Sequence, residues 1–169
     1  MPLVYQHTIN KGTKVGLWRI EEPEDFFLKK VPVKRDVTHP HKRLQHLAGR
    51  YLLPGLFEDF PLEEILIADT RKPFLPDEQY HFSISHCGNY AAAIVSADRR
   101  VGIDIETPTD KIFYIAHKFL SEDERLMLNE QMSTRQLLEL VTLLWSVKET
   151  MFKWYGYGGI DFKKHLQIK

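Results

Sequence analysis

Residues 81–106 read HFSISHCGNYAAAIVSADRRVGIDIE, and the fold class turns on this stretch. His81 to Ser85 and Tyr90 to Ser96 are β-type runs. Between them His86-Cys87-Gly88-Asn89 carries the Gly and Asn that a hairpin turn favours. Val101 to Glu106 then alternates strictly, which predicts a third strand. Val101, Ile103 and Ile105 would face one way, Gly102, Asp104 and Glu106 the other.

Upstream, Val15 to Ile20 reads as a short strand closed by the Glu21-Glu22-Pro23 turn. From Lys42 to Leu53 the apolar residues Leu44, Leu47, Ala48, Tyr51 and Leu52 recur at helical spacing. Thr38 and Pro40 supply a start for this helix, and Pro54-Gly55 a firm stop. Arg43, His46 and Arg50 fall together on a different side of it. Downstream, Ser121-Glu122-Asp123-Glu124 has the form of a capping box. Arg135 to Tyr155 is a long periodic helix ended by Gly156, Gly158 and Gly159. Helix, then strands, then helices is an α+β order.

The 169 residues suffice for one large domain or two small lobes sharing a core, and 43% hydrophobic content excludes a disordered chain. Basic and acidic residues balance at 23 each, so the molecule as a whole steers toward neither nucleic acid nor membrane. Locally the balance fails: Lys29, Lys30, Lys34, Arg35, Lys42, Arg43 and Arg50 stand against one acid, Asp36. Such a patch suits a multiply charged anion, or is a solvated basic face. A single cysteine, Cys87, excludes an internal disulfide and a CxxC-type zinc site. No apolar run approaches the length of a membrane span, and Met1 to Lys14 lacks the apolar core of a signal peptide, so a reducing cytoplasm is expected.

Three groups of residues could carry chemistry. Asp104 and Glu106, two apart on a strand, project from one face with Cα atoms roughly 7 Å apart. Two such carboxylates suit a hard cation such as Mg²⁺, or form the polar face of an amphipathic strand. Glu149 and Lys153 stand at i and i+4 on the long helix, with Trp145 one turn earlier on the same side. They are either a surface ion pair or part of a site. His86, at the hairpin corner after Ser85, is either a donor to phosphate or a hairpin end with no ligand. A Cys87–His86 nucleophile is improbable because adjacent residues of an extended segment point apart. His39 and His41 lack a further ligand at zinc spacing.

In order, the chain reads RKPFLPDEQYHFSISHCGNYAAAIVS, RRVGIDIE, KFLSEDE and LLWSVKETMFKWYGYG. This set resembles the 4′-phosphopantetheinyl transferases of the larger, surfactin-synthetase-activating type. Their signatures are a Lys-Pro loop, a Ser-His hairpin turn, a GIDIE-like strand, a Phe-Ser-x-x-Glu helix start and a W-x-x-K-E-x-x-x-K helix. The resemblance runs from about Lys42 to about Phe162.

The resemblance implies transfer of 4′-phosphopantetheine from coenzyme A, the co-substrate, to a serine of an apo acyl- or peptidyl-carrier protein, with release of 3′,5′-ADP. It assigns Asp104, Glu106 and Glu149 to a Mg²⁺ on the pyrophosphate, and Lys153 to the charge on the departing nucleotide. Ser85 and His86 would meet the adenosine-side phosphates, His86 the 3′-phosphate, with Lys72 helping in the nucleotide pocket and Arg43 joining them. Lys148 would be a secondary contact and Trp145 mainly packing. Glu149 is the first choice of general base, a metal-bound water the alternative. The implied fold is two similar α/β lobes about a pseudo-twofold axis, residues 1–100 and 101–169, the second incomplete at its C-terminus. Further residues beyond Lys169, or closure by another copy of the chain, are therefore expected. Two rivals stay open: a non-catalytic coenzyme A or carrier-protein binding module of the same family, and a Mg²⁺-dependent nucleotide hydrolase.

Overall fold

The computed structural model describes residues 2–32, 37–129 and 131–169. Lys34, Arg35 and Asp36 of the basic patch lie outside the described residues. Four strands form one antiparallel sheet: β1 (Leu3–Asn10), β2 (Thr13–Arg19), β5 (His81–Cys87) and β6 (Tyr90–Ser96), in the order β1-β2-β6-β5. Cys87 pairs with Tyr90, so the hairpin loop is only Gly88-Asn89, with Gly88 at φ +53°. The turn is thus tighter than the expected one, and His86 lies within β5. A two-residue primed turn matches the twist of the strands, so the ladder continues to its edge. Strand β1 was not legible in the sequence. All eight of its residues are exposed, so no buried face imposes alternation on them.

Helices α1 (Glu24–Leu28) and α2 (Pro40–Leu56) cover one face of this sheet. The apolar stripe of α2 delivers Leu47, Ala48, Leu52, Leu53 and Leu56 onto Trp18, Phe82, Ala91, Ala93 and Val95. Contact is close where side chains are small: a methyl at Gly49 would stand 2.5 Å from Ile84 Cγ2. Helix α2 begins behind His39, whose ring accepts from the Lys42 amide, rather than behind Thr38. It also runs past its expected stop, with Pro54 inside its last turns. Proline there removes one donor, and the helix still closes through Phe57 N–H on the Leu53 carbonyl at 3.0 Å.

The other face of the sheet carries Ser83 and Ser85, which alternate with Phe82 and Ile84. Val101 to Glu106 lies against these serines, and it is not a strand. Ile103 N–H donates to Ser83 Oγ at 3.2 Å and Ile105 N–H to Ser85 Oγ at 3.3 Å. Hydroxyls thus take the backbone donors that a neighbouring strand would have taken, which corrects the sequence expectation. Beyond it come α3 (Lys111–Phe119), α4 (Glu122–Leu126), α5 (Thr134–Tyr155) and α6 (Phe162–His165). The expected capping box at Ser121 and Glu124 is present. Ser133 and Gln136 form a second one at the start of α5, and Gly156 ends that helix in the left-handed region at φ +78°. These helices share a separate core of Ile112, Phe119, Leu120, Val141 and Leu144. The small hairpin of β3 (Leu66–Ile67) and β4 (Pro73–Phe74) completes an α+β fold.

Candidate active site

Three elements meet at one carboxylate. Segment 101–106 brings Asp104, β5 brings Ser85 and α5 brings Lys153. Ser85 Oγ donates to Asp104 Oδ1 at 2.8 Å; Lys153 Nζ donates to the same oxygen at 2.7 Å and to Ser85 Oγ at 2.9 Å. With the Ile105 amide also donating to it, the hydroxyl uses its one proton and both lone pairs. Asp104 is 4% exposed at its side chain, and its Oδ2 is buried without a partner. An unpartnered carboxylate oxygen is costly and marks a place for a ligand or ion.

Glu106 accepts from Trp145 Nε1 at 3.0 Å, and the indole packs against Phe119 and Phe162. Glu149 lies one helical turn from both Trp145 and Lys153. Burial pushes its carboxyl up, and the Asp104 and Glu106 charges add to this while Lys153 opposes it. Electrostatically, then, the three acids and Lys153 form one neighbourhood. His86 belongs to it too: partial burial lowers its imidazole, and the Lys153 and Lys42 cations lower it further against the pull of Asp104.

No three His, Cys, Asp or Glu side chains among the described residues stand together as a ready cage for a metal ion. Asp104 is turned to Lys153 and Ser85, Glu106 to Trp145. The donor set nevertheless fits Mg²⁺ in kind. That ion takes oxygen ligands, and one or two carboxylates suffice where phosphate and water complete the shell. The spare Asp104 Oδ2 and the mutual repulsion of three acids are what a divalent cation would relieve.

The other expected contacts scatter. Lys72 lines a cavity of about 490 Å³ with His81, Phe82, Arg100, Tyr155 and Gly156. Burial and then the Arg100 charge lower its ammonium. This is the His81 end of β5, and His86 stands roughly 17 Å farther along at a strand's rise of ~3.3 Å per residue. Sequence reasoning grouped Lys72 with His86; the structure does not bring them together. Arg43 is engaged by Glu24, its Nε donating at 2.8 Å.

Lys148 is a correction. It is fully buried, and its three donors go to Phe119 O at 2.7 Å, Glu124 Oε2 at 2.6 Å and Phe162 O at 3.0 Å, so it offers nothing to a ligand. A signal for this was present: Lys148 follows Leu144 by four residues and Val141 by seven, on the apolar stripe of α5. Glu124 was read only as half of a capping box; its second role was missed.

Residues 100–168 match the family described as the 4′-phosphopantetheinyl transferase superfamily. That match covers about two fifths of the chain. Among its relatives, enterobactin synthase component D of Salmonella typhi is 34% identical over 119 residues, covering 66% of this chain and 47% of that protein. The 4′-phosphopantetheinyl transferase gsp of Aneurinibacillus migulanus is 33% identical over 114 residues, 66% of this chain and 46% of its own length. The 4′-phosphopantetheinyl transferase AcpT of Escherichia coli O157:H7 is 32% identical over 118 residues, 68% and 59%. The chain spans about half the length of the curated relatives it matches. Asp104, Glu106, Glu149 and Lys153 all fall inside the segment that matches the superfamily.

Proposed function

We propose that this chain transfers 4′-phosphopantetheine from coenzyme A to a serine of an apo acyl- or peptidyl-carrier protein. The observation that carries this reading is the junction of Asp104, Ser85 and Lys153 with its spare carboxylate oxygen, Asp104 and Lys153 being inside the superfamily segment. Residues 1–100 and 101–169 act as two lobes with coenzyme A between them, a division supported by the two separate hydrophobic cores.

The chemical problem is attack of a hydroxyl on the β-phosphorus of an anionic pyrophosphate. Mg²⁺ held by Asp104, Glu106 and Glu149 would supply the divalent charge that this pyrophosphate needs. Lys153, bonded to Asp104, offers its ammonium to phosphate oxygens as negative charge gathers on the leaving group. Ser85 and His86 hold the adenosine-side phosphates, and Lys72 serves the nucleotide side from its own cavity. Glu149 takes the proton from the carrier serine, directly or through a water. The new serine–phosphorus ester forms as the bond to 3′,5′-ADP breaks, and the electron pair leaves with the nucleotide. A cytoplasmic setting accompanies this reading. No helix among the described residues is long and apolar enough to cross a membrane.

The test is intact-mass spectrometry of an apo carrier protein incubated with the chain, coenzyme A and Mg²⁺. An increase by the phosphopantetheine mass is expected. Bound coenzyme A with an unchanged carrier would make the chain a binding module. Release of 3′,5′-ADP without a mass shift would make it a hydrolase.

A further inference from the structure

The second core contains an ion pair that the chemistry above does not use. Glu124 and Lys148 are both 0% exposed and meet at 2.6 Å. Every polar atom of the pair is engaged. Glu124 Oε2 also accepts from Ser121 N–H at 2.8 Å, and Oε1 from Ile168 N–H at 2.9 Å. Lys148 spends its other two donors on the carbonyls of Phe119 and Phe162. Phe119 is the last residue of α3, so its carbonyl has no partner within its own helix. One pair thus ties together the end of α3, the start of α4, α6, the segment at Ile168, and α5.

Apolar packing between α3 and α5 is non-directional and tolerates small rotations and slides. Five charge-assisted bonds with fixed angles do not. Lys148 immediately precedes Glu149, so their side chains diverge by about 100° around a helix of 3.6 residues per turn. Fixing the direction of Lys148 into the core therefore fixes the direction of Glu149 toward Asp104 and Glu106. A methionine would fill the same space without burying a charge, and buried pairs add little net stability over apolar replacements.

We propose that Glu124 and Lys148 are positioning residues that set the rotation and axial register of α5, and through it the placing of Glu149 and Lys153. The inference rests on the transferase reading. It predicts that removing the pair damages the chemical step more than coenzyme A binding.

The test compares Glu124→Gln, Lys148→Met and the double variant with the unaltered chain, reading melting temperature, KM for coenzyme A and kcat for carrier modification. Each single variant leaves a buried group unpaired and melts earlier; the double variant, with no unpaired charge, recovers much of that loss. The positioning role requires that kcat in the double variant stay at least tenfold down while KM moves less than threefold. If kcat returns with the melting temperature, the pair is only a stabiliser and the proposal fails; it also fails if KM rises and kcat does not fall. Should the unaltered chain transfer nothing, the transferase reading is what has failed. Amide hydrogen exchange around Glu149 then decides the positioning claim. Exchange at least tenfold faster in the double variant, with α2 unchanged, is expected; equal exchange overturns it.

Discussion

A carboxyl group that faces two others and little water keeps its proton to higher pH than one in bulk solvent, and Glu149 is so placed. Glutamine retains its shape but can neither accept the serine proton nor balance a cation. Glu149→Gln should therefore abolish carrier modification while the melting curve stays within a degree or two of the unaltered chain; full activity would remove Glu149 from the mechanism. His86 and Lys72 call for a different comparison, because the length of β5 separates them. Charge-assisted contacts are worth about 1.5–3 kcal/mol each. His86→Ala should lose about that much affinity for coenzyme A and little for dephospho-coenzyme A, by calorimetry. Lys72→Ala should weaken both ligands alike, and a selective loss there would exchange the two roles.

At the level of elements, the close approach of α5 to segment 101–106 is decisive. A Cβ on Gly102 would run into the Thr150 carbonyl and stand 2.9 Å from Trp154 N. Backbone cannot move aside as a side chain can, so Gly102→Ala should cost about 1–3 kcal/mol. Thermal melts should show that loss, and carrier modification should fall with it because Asp104 and Lys153 are pushed apart. The ion pair of α4 and α5 gives a pH dependence. Burial alone would raise the Glu124 carboxyl, but Lys148 and the Ser121 and Ile168 amides together hold it below the usual glutamate range. A depressed folded-state pKa gives stability that is present above the unfolded-state value and lost as pH falls through the folded one. Melting temperature should thus drop on acidification below about pH 4.3, the ordinary glutamate pKa. The drop should be smaller in Glu124→Gln.

These elements also show how far sequence carries. The capping box at Ser121, the helix of Lys148 and Lys153, and strand β6 were legible because each is decided by neighbours a few residues away. Whether Val101 to Glu106 pairs as a strand depends on what stands across from it, and two serines stand there. The acid neighbourhood was legible from motif order, whereas the separation of Lys72 from His86 was not. It is set by which end of β5 each loop reaches.

Over the whole molecule, equal numbers of acids and bases and an isoelectric point near 7.1 leave little net repulsion at neutral pH. Large apolar side chains stand in water as well: Leu126 is 83% exposed, Tyr114 78% and Trp154 52%. Proteins near zero net charge associate most readily. Light scattering across pH 5.5–9 should therefore show a solubility minimum near pH 7 that disappears about two pH units above it. A minimum elsewhere would mean that bound ions or another chain set the surface charge.

The hydroxyl of Ser85 has a consequence for which substitutions this chain can survive. Ser83 holds one amide, so losing its hydroxyl costs the fold one bond. Losing the hydroxyl of Ser85 strikes the Ile105 amide, the Asp104 carboxylate and the Lys153 ammonium together. Two serines that look interchangeable in the strand therefore differ in how freely mutation can drift through them. Position 83 has tolerable neighbours in sequence space, whereas position 85 has threonine at most, and a random mutational library selected for carrier modification should display that difference directly.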